Sequence, residues 1–273
     1  MSVYSDPATG LPAIDFDGCP RLLAKLPPTR GRGGLRSFVE AVGTAPESEW
    51  RPLDWRPLFT PNWILDQKSH GSCVGFSSAG ALSKARALAG ETFQRLSGSF
   101  VYAHINGGQD QGAIITDALG VLRDRGTCLD LEMPWDRIYK SQIPPSAYET
   151  AKRFRAFELY TADTWLEIGS AVQLGFVPIF AVMVGGSFMD LDSEGVAGFD
   201  NGPGNHAVHA DGMVRLPRAG WALDMPNSWG TSFGQSGRCY LTRRHVEGVQ
   251  QDCYVIRAIA FDPLDPHKPP VAN

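Results

Sequence analysis

The sequence predicts an α+β fold in which helices come first and strands later. Three observations carry this. Between residues 73 and 175, apolar residues recur at helical spacing in runs that each stop at a glycine. From residue 177 onward they recur in short, β-rich, turn-bounded runs instead. Before both lie about 50 residues rich in Pro and Gly, with little periodicity of either kind.

Taken in order, residues 1–50 read as an extended arm, with a short helix possible over Leu35–Val42. The segment Trp50-Arg-Pro-Leu-Asp-Trp-Arg-Pro-Leu-Phe59 brings two tryptophans to the edge of a core. A helix is predicted over Cys73–Ala89, where Ala79, Leu82, Ala85 and Ala89 share one face and Gly90 suits the exit. A second is predicted over Ala113–Arg125, lined by Ile115, Leu119 and Leu122 and ended by Gly126. Thr164-Trp-Leu-Glu167 reads as a capping box that opens a third helix, stopping at Gly175. Strands are predicted over Val177–Val184, His206–Val214, Trp221–Met225, Gly237–Thr242 and Asp252–Ile259. A Pro-rich tail follows from Pro263.

The 273 residues, 43% hydrophobic and 20% charged, suit one large domain or two lobes sharing a cleft. A net charge of -4 offers no basic field for nucleic acid, so no nucleic-acid partner is expected. The Arg-rich patch from Arg30 to Arg36 reads as a solvated linker. The longest apolar run, Phe176–Val184, is about half of what a bilayer crossing needs, so no membrane partner is expected. Met1–Pro7 lacks the pattern of a secretory signal, which predicts a protein made for the cytoplasm or leaving it by another route. Cys19, Cys73, Cys128, Cys239 and Cys253 form no CxxC pair and suggest a reducing compartment. A Cys239–Cys253 bridge is possible but has no support in the sequence, and buried thiols are the default.

Cys73 starts a predicted helix, where unpaired N–H groups favour a thiolate. Gly71 and Ser72 allow close backbone approach, and Gln67, six residues upstream, could donate its amide to an oxyanion. "GNHAVHADG" (204–212) carries His206 and His209. In a strand, residues three apart face opposite sides, so a shared metal is not expected, whereas one histidine facing a cleft could act as a base. In "MPNSWGTSFGQSG" (225–237) an Asn beside a Trp could orient an imidazole and shield that bond from water. "DLDSEG" (190–195) alternates acids as a calcium loop does, but its twelfth position is Asn201, and it reads as a surface turn.

Together the three stretches resemble the papain-like cysteine peptidases of the C1 family. "QKSHGSCVGF" (67–76) is similar to the family's Q-x-x-x-x-G-S-C-W-A-F element, "NHAVHADG" to its (N/D)-H-A-V-x-A-V-G stretch, and "PNSWGTSFGQSGRCYLTR" to its K-N-S-W-G stretch. The order Cys, His, Asn and the 133-residue gap between Cys73 and His206 also match. "DWR" (54–56), "LSGSFVYAH" and "GQDQGAIITDAL" are weaker echoes. The resemblance spans roughly residues 50–262. It implies a helical lobe over 51–160 carrying the nucleophile and a β-rich, barrel-like lobe over 161–262 carrying His and Asn. The site would lie in the groove between them, with the arm over 1–50 and the tail over 263–273.

By the resemblance, Cys73 is the nucleophile of a catalytic triad, His206 the general base and acid, and Asn227 its orienting partner. Gln67 and the Cys73 N–H form the oxyanion hole, and Trp229 covers the His–Asn bond. Gly112, Ala113, Ile114, Val182 and Ala207 are candidates for substrate binding. As the named side chains are apolar, a hydrophobic P2 residue is expected. The implied activity is a thiol protease acting on a peptide or protein substrate, with no cofactor and no metal.

Five positions depart from the family pattern. Val74 stands where Trp is usual, Gly75 where Ala is, Lys68 where Gly is, and Phe233 where a second Trp is. His70 occupies the usual half-cystine position, so the corresponding disulfide is not expected. These changes suit a disulfide-poor bacterial or phage branch, and the first 50 residues do not resemble the family's charged helical propeptide. Two other readings remain open: a papain-fold structural or binding protein of a phage or secretion assembly, and an amidase or transpeptidase using the same triad.

Overall fold

The computed structural model describes residues 1–28, 30–59, 64–249 and 252–258. Helices and sheets both contribute, as the α+β reading expects. The helices are α1 (Phe38–Ala41), α2 (Cys73–Leu88), α3 (Gly98–Ile105), α4 (Ile115–Asp124), α5 (Pro145–Ala151), α6 (Trp165–Gln173) and α7 (Arg243–Glu247). The N-terminal strands are β1 (Tyr4–Ser5), β2 (Pro12–Phe16), β3 (Cys19–Leu22), β4 (Arg36–Ser37) and β5 (Leu53–Asp54). The later ones are β6 (Glu158–Thr161), β7 (Val177–Val182), β8 (His206–His209), β9 (Gly212–Leu216), β10 (Gly220–Pro226), β11 (Arg238–Thr242) and β12 (Cys253–Arg257).

Helix α2 organises the molecule. It is buried on every side from Cys73 to Ala87, because its Ala, Ser and Gly residues let neighbours approach closely all round. One side packs on α3 and α4, the other on β8, β7 and β12. A Cβ on Gly75 would lie 2.4 Å from the Gly98 carbonyl oxygen of α3, and one on Gly80 would lie 2.6 Å from the His209 ring on β8. The first turn of α2 thus ends in the seam between helices and sheet, and that places Cys73.

The five-stranded sheet runs β4-β6-β12-β7-β8, and a four-stranded sheet runs β11-β10-β9-β5. All β7 residues are buried, with α6 packed over them. The expected capping box opens α6: Thr164 Oγ1 accepts the Glu167 N–H at 3.2 Å, and Glu167 accepts the Thr164 N–H at 2.8 Å.

The single strand expected over His206–Val214 is two. The chain leaves the five-stranded sheet after His209 and enters the four-stranded one at Gly212. Between them the fully buried Asp211 carboxylate binds Lys84 and Arg238, and the Asp211 N–H donates to the Asp224 carbonyl at 3.0 Å. A buried charge satisfied from two directions breaks the strand, which hydrophobic patterning does not register.

The arm is also more ordered than Pro/Gly content suggests. β1-β2-β3 form an antiparallel sheet, β4 adds to β6 in parallel, and Ile14, Leu23 and Phe38 enter the main core. Helices α3 and α5 were not expected; Ser97 caps α3 by accepting the Phe100 N–H at 3.0 Å, and α5 starts on Pro145. All five cysteines are free thiols, so the possible Cys239–Cys253 bridge is not formed. The C-terminal tail lies outside the described residues.

Candidate active site

Cys73 opens α2 and is fully buried. The backbone N–H groups of Ala207, Ala24 and Val74 act on its sulfur. The first of these belongs to the residue after His206, so the thiol lies against β8 where that histidine sits. His206 Nε2 is 2.9 Å from Asn227 Oδ1, and Nδ1 has no hydrogen-bond partner. Because Asn Oδ1 only accepts, the proton sits on Nε2 and Nδ1 carries the free lone pair. The Trp229 ring lies 4.9 Å from the His206 ring and tilted 38° to it, and Trp229 is fully buried. Asn227 Oδ1 also accepts the Ser228 N–H at 2.8 Å, which fixes the amide's orientation.

Burial moves the acid and the base in opposite directions. It raises the Cys73 thiol above its ordinary value, even though the three N–H groups oppose it. It lowers His206 to about 4, with the Asn227 bond opposing. A thiolate favoured by the helix start is therefore not the resting state here. Helix-end N–H groups are outweighed when the sulfur is shut away from water.

What shuts it away is the chain's own N-terminal segment. Leu26 N–H donates to the Ala113 carbonyl at 2.8 Å, and Ala113 N–H to the Ala24 carbonyl at 3.0 Å, a parallel bridge. On the other wall, Lys25 N–H donates to the Asn205 carbonyl at 3.0 Å. Ala24 packs so tightly that a Cβ on Gly112 would lie 2.0 Å from its carbonyl oxygen, and one on Gly71 would lie 2.8 Å from its Cβ. Residues 22–26 thus cross the groove directly over Cys73.

Gln67 is buried beside this crossing. Its Nε2 donates to the His70 carbonyl at 2.8 Å and reaches the Leu22 carbonyl of the arm at 3.5 Å, while Oε1 accepts from Ser228 Oγ at 2.6 Å. The expected oxyanion donor is thus turned toward carbonyl oxygens, one of which belongs to the segment in the groove. Among the substrate-binding candidates, Gly112 and Ala113 line one wall of the crossing. Ala207 lies against Cys73, Val182 pairs with His206 across the β7–β8 ladder, and Ile114 is the N-cap of α4.

His209 faces away from His206. Its Nε2 is 3.2 Å from Lys84 Nζ on α2, and no shared metal site with His206 results. In the 190–195 loop, Asp192 Oδ1 accepts N–H bonds from Glu194 and Val196, so the acids close a turn.

Several residues that shape the site carried no motif. Asp110 Oδ1 accepts the Gly71 N–H at 2.9 Å and the Tyr102 hydroxyl at 2.7 Å, and its Oδ2 is 2.9 Å from His70 Nδ1. It ties the loop before Cys73, where His70 stands in place of a half-cystine, to the glycine-rich turn. His70 and an acid within "GQDQG" could have signalled this. Nothing in the sequence singles out Lys25 or Asp252, which form a buried ion pair at the same groove.

No protein-family model matches the sequence, and no curated protein does. Solved structures do match in shape. Xylellain, a cysteine protease from Xylella fastidiosa, superposes with a TM-score of 0.65 at 20% identity, over 86% of this chain and 96% of that one. Procathepsin L 3 of Tenebrio molitor gives 0.66 at 17% identity, over 82% and 74%. Bromelain from Ananas comosus, in complex with the E64 inhibitor, gives 0.61 at 19% identity, over 76% and 98%. The chain therefore has the fold of the papain-like cysteine proteases.

Proposed function

We propose that this chain is a cysteine peptidase that hydrolyses peptide bonds through an acyl-enzyme at Cys73. The observation that carries the reading is His206. Its Nε2 is pinned by Asn227 under Trp229, and its Nδ1 lone pair is unused next to the strand position that touches the Cys73 sulfur. In that arrangement His206 takes the thiol proton, and the sulfur attacks the peptide carbonyl. The Cys73 N–H and, once it is released from the Leu22 and His70 carbonyls, the Gln67 amide would donate to the oxyanion. His206 then returns its proton to the leaving amine, and water, deprotonated by the same imidazole, releases the acid. A peptide can enter only when residues 22–26 withdraw, because they fill the groove. Five unpaired cysteines support a reducing compartment.

With the arm weakened by Lys25→Ala, adding Cys73→Ala is expected to abolish both peptide turnover and labelling by an epoxysuccinyl probe. Equal labelling of that variant would sink the reading. The occupied groove and the neutral Cys73–His206 pair also favour a second reading, a papain-fold binding or structural protein. That reading holds if the arm cannot be displaced and no peptide library is cleaved. Mass spectrometry of the products separates hydrolysis from transfer to an amine.

A further inference from the structure

Three basic residues of the N-terminal segment reach acids on the body of the protein: Arg21 to Asp66, Lys25 to Asp252, and Arg32 to Asp163. The middle pair differs from the others in enclosure. The Lys25 and Asp252 side chains are only 1% and 3% exposed, against 21% for Asp66 and 48% for Asp163. It also differs in place. Lys25 is the residue whose backbone is clamped between Ala113 on one wall and Asn205, the neighbour of His206, on the other.

From there its side chain runs down to Asp252. The carbonyl of that residue accepts the Ala181 N–H at 3.2 Å, and Ala181 is the β7 partner of Ala207. The space that the Lys25 side chain fills therefore ends in a carboxylate. A peptide held on the same two backbone edges would place one side chain in that pocket. An apolar side chain there would leave the buried Asp252 charge without the cation that Lys25 now supplies, whereas Lys or Arg would replace it.

We propose that Asp252 is a specificity-determining residue that makes this pocket select a basic side chain of the peptide substrate, Lys25 being its resident occupant. This rests on the peptidase reading and replaces the hydrophobic P2 expectation, which was drawn from the pocket's walls without its floor.

The test uses the full chain carrying Lys25→Ala, with Lys25→Met as a second variant that keeps the stem should the alanine variant fold poorly. Peptide pairs that differ only in Lys or Leu two residues before the cleaved bond are compared by kcat/KM. A Lys/Leu ratio of at least about 10 is expected, falling at least tenfold when Asp252→Ala is added. A ratio below one, or one that Asp252→Ala leaves unchanged, overturns the proposal.

If no peptide is cleaved and Cys73 resists alkylation, the peptidase reading fails. The pocket is then judged by binding. A fluorescent peptide of residues 19–28 is expected to bind the Lys25→Ala protein at least tenfold tighter than the same peptide with Leu at position 25. The difference should vanish in Lys25→Ala/Asp252→Ala. Equal binding of the two peptides overturns the proposal.

Discussion

At the scale of single residues, burial sets the resting chemistry. With the thiol pushed up and the imidazole down to about 4, Cys73 and His206 are both neutral at pH 7. Alkylation of Cys73 in the intact chain is expected to be slow at pH 7 and to rise only above the ordinary thiol range. In Lys25→Ala, where the arm is weakened, it is expected to level off below about 8.5. A stopped-assay pH series with iodoacetamide checks both. The sign for stability follows from His206. Its native value lies below the unfolded value of about 6.5, so between pH 4 and 6.5 the unfolded chain binds more protons, and stability rises with pH. That contribution amounts to about 3 kcal/mol. It should disappear from the difference between urea unfolding at pH 4.5 and 7 when His206→Gln replaces the ring. The same variant is expected to lower kcat by about 10²–10⁴-fold. Cys73, His206 and Asn227 were legible because each sits in a motif whose residue types state its chemistry. Asp252 was not, because its meaning comes from a lysine more than 200 residues away in sequence.

At the scale of elements, the site is held by close approach rather than by a covalent staple. Gly75 follows Val74 at a position where Ala is usual among the papain-like peptidases, and the α2–α3 crossing explains the change. The Cβ would meet the Gly98 carbonyl at 2.4 Å and the Tyr102 Cβ at 2.9 Å. Gly75→Ala is therefore expected to destabilise by about 1–3 kcal/mol, although alanine is the better helix former, as measured by thermal unfolding. Asp110 works across the same junction, accepting from Gly71 and Tyr102 and meeting His70. Its loss leaves the buried Gly71 N–H and Tyr102 hydroxyl unpaired, and Asp110→Ala should cost about 1–3 kcal/mol and slow Cys73 alkylation in the opened protein. Long periodic helices and the capping box of α6 were readable from local pattern. The β8–β9 break and the sheet in the arm were not, since both depend on partners supplied by tertiary structure.

At the scale of the whole molecule, the helical and β-rich parts are tied together behind the site by a buried network of charges. Lys84 comes from α2, Asp211 from the β8–β9 junction, Asp224 from β10 and Arg238 from β11. Burial alone would raise the Asp211 carboxyl, but Lys84 and Arg238 together hold it below the usual carboxylate range. Its contribution is therefore present above about pH 4 and is lost as pH falls further. Arg238 reaches Asp211 at 2.7 Å and Asp224 at 3.0 Å, so within the β-rich part the acids stay paired even without Lys84. Lys84 is the member that spans the two parts. Lys84→Met keeps the stem but removes the only cation that α2 brings to Asp211 among the described residues. The expected loss is about 3 kcal/mol, at the low end for a broken buried pair because Arg238 remains. Lys152→Ala, which breaks the exposed pair with Glu149, should change stability by less than about 1 kcal/mol. Urea unfolding of both variants distinguishes a lobe-spanning tie from a surface charge. If the network joins the parts, Lys84→Met also broadens the transition, because α2 can then separate from β8 before the rest unfolds. A loss equal to that of Lys152→Ala would show that packing along α2 holds the parts together unaided.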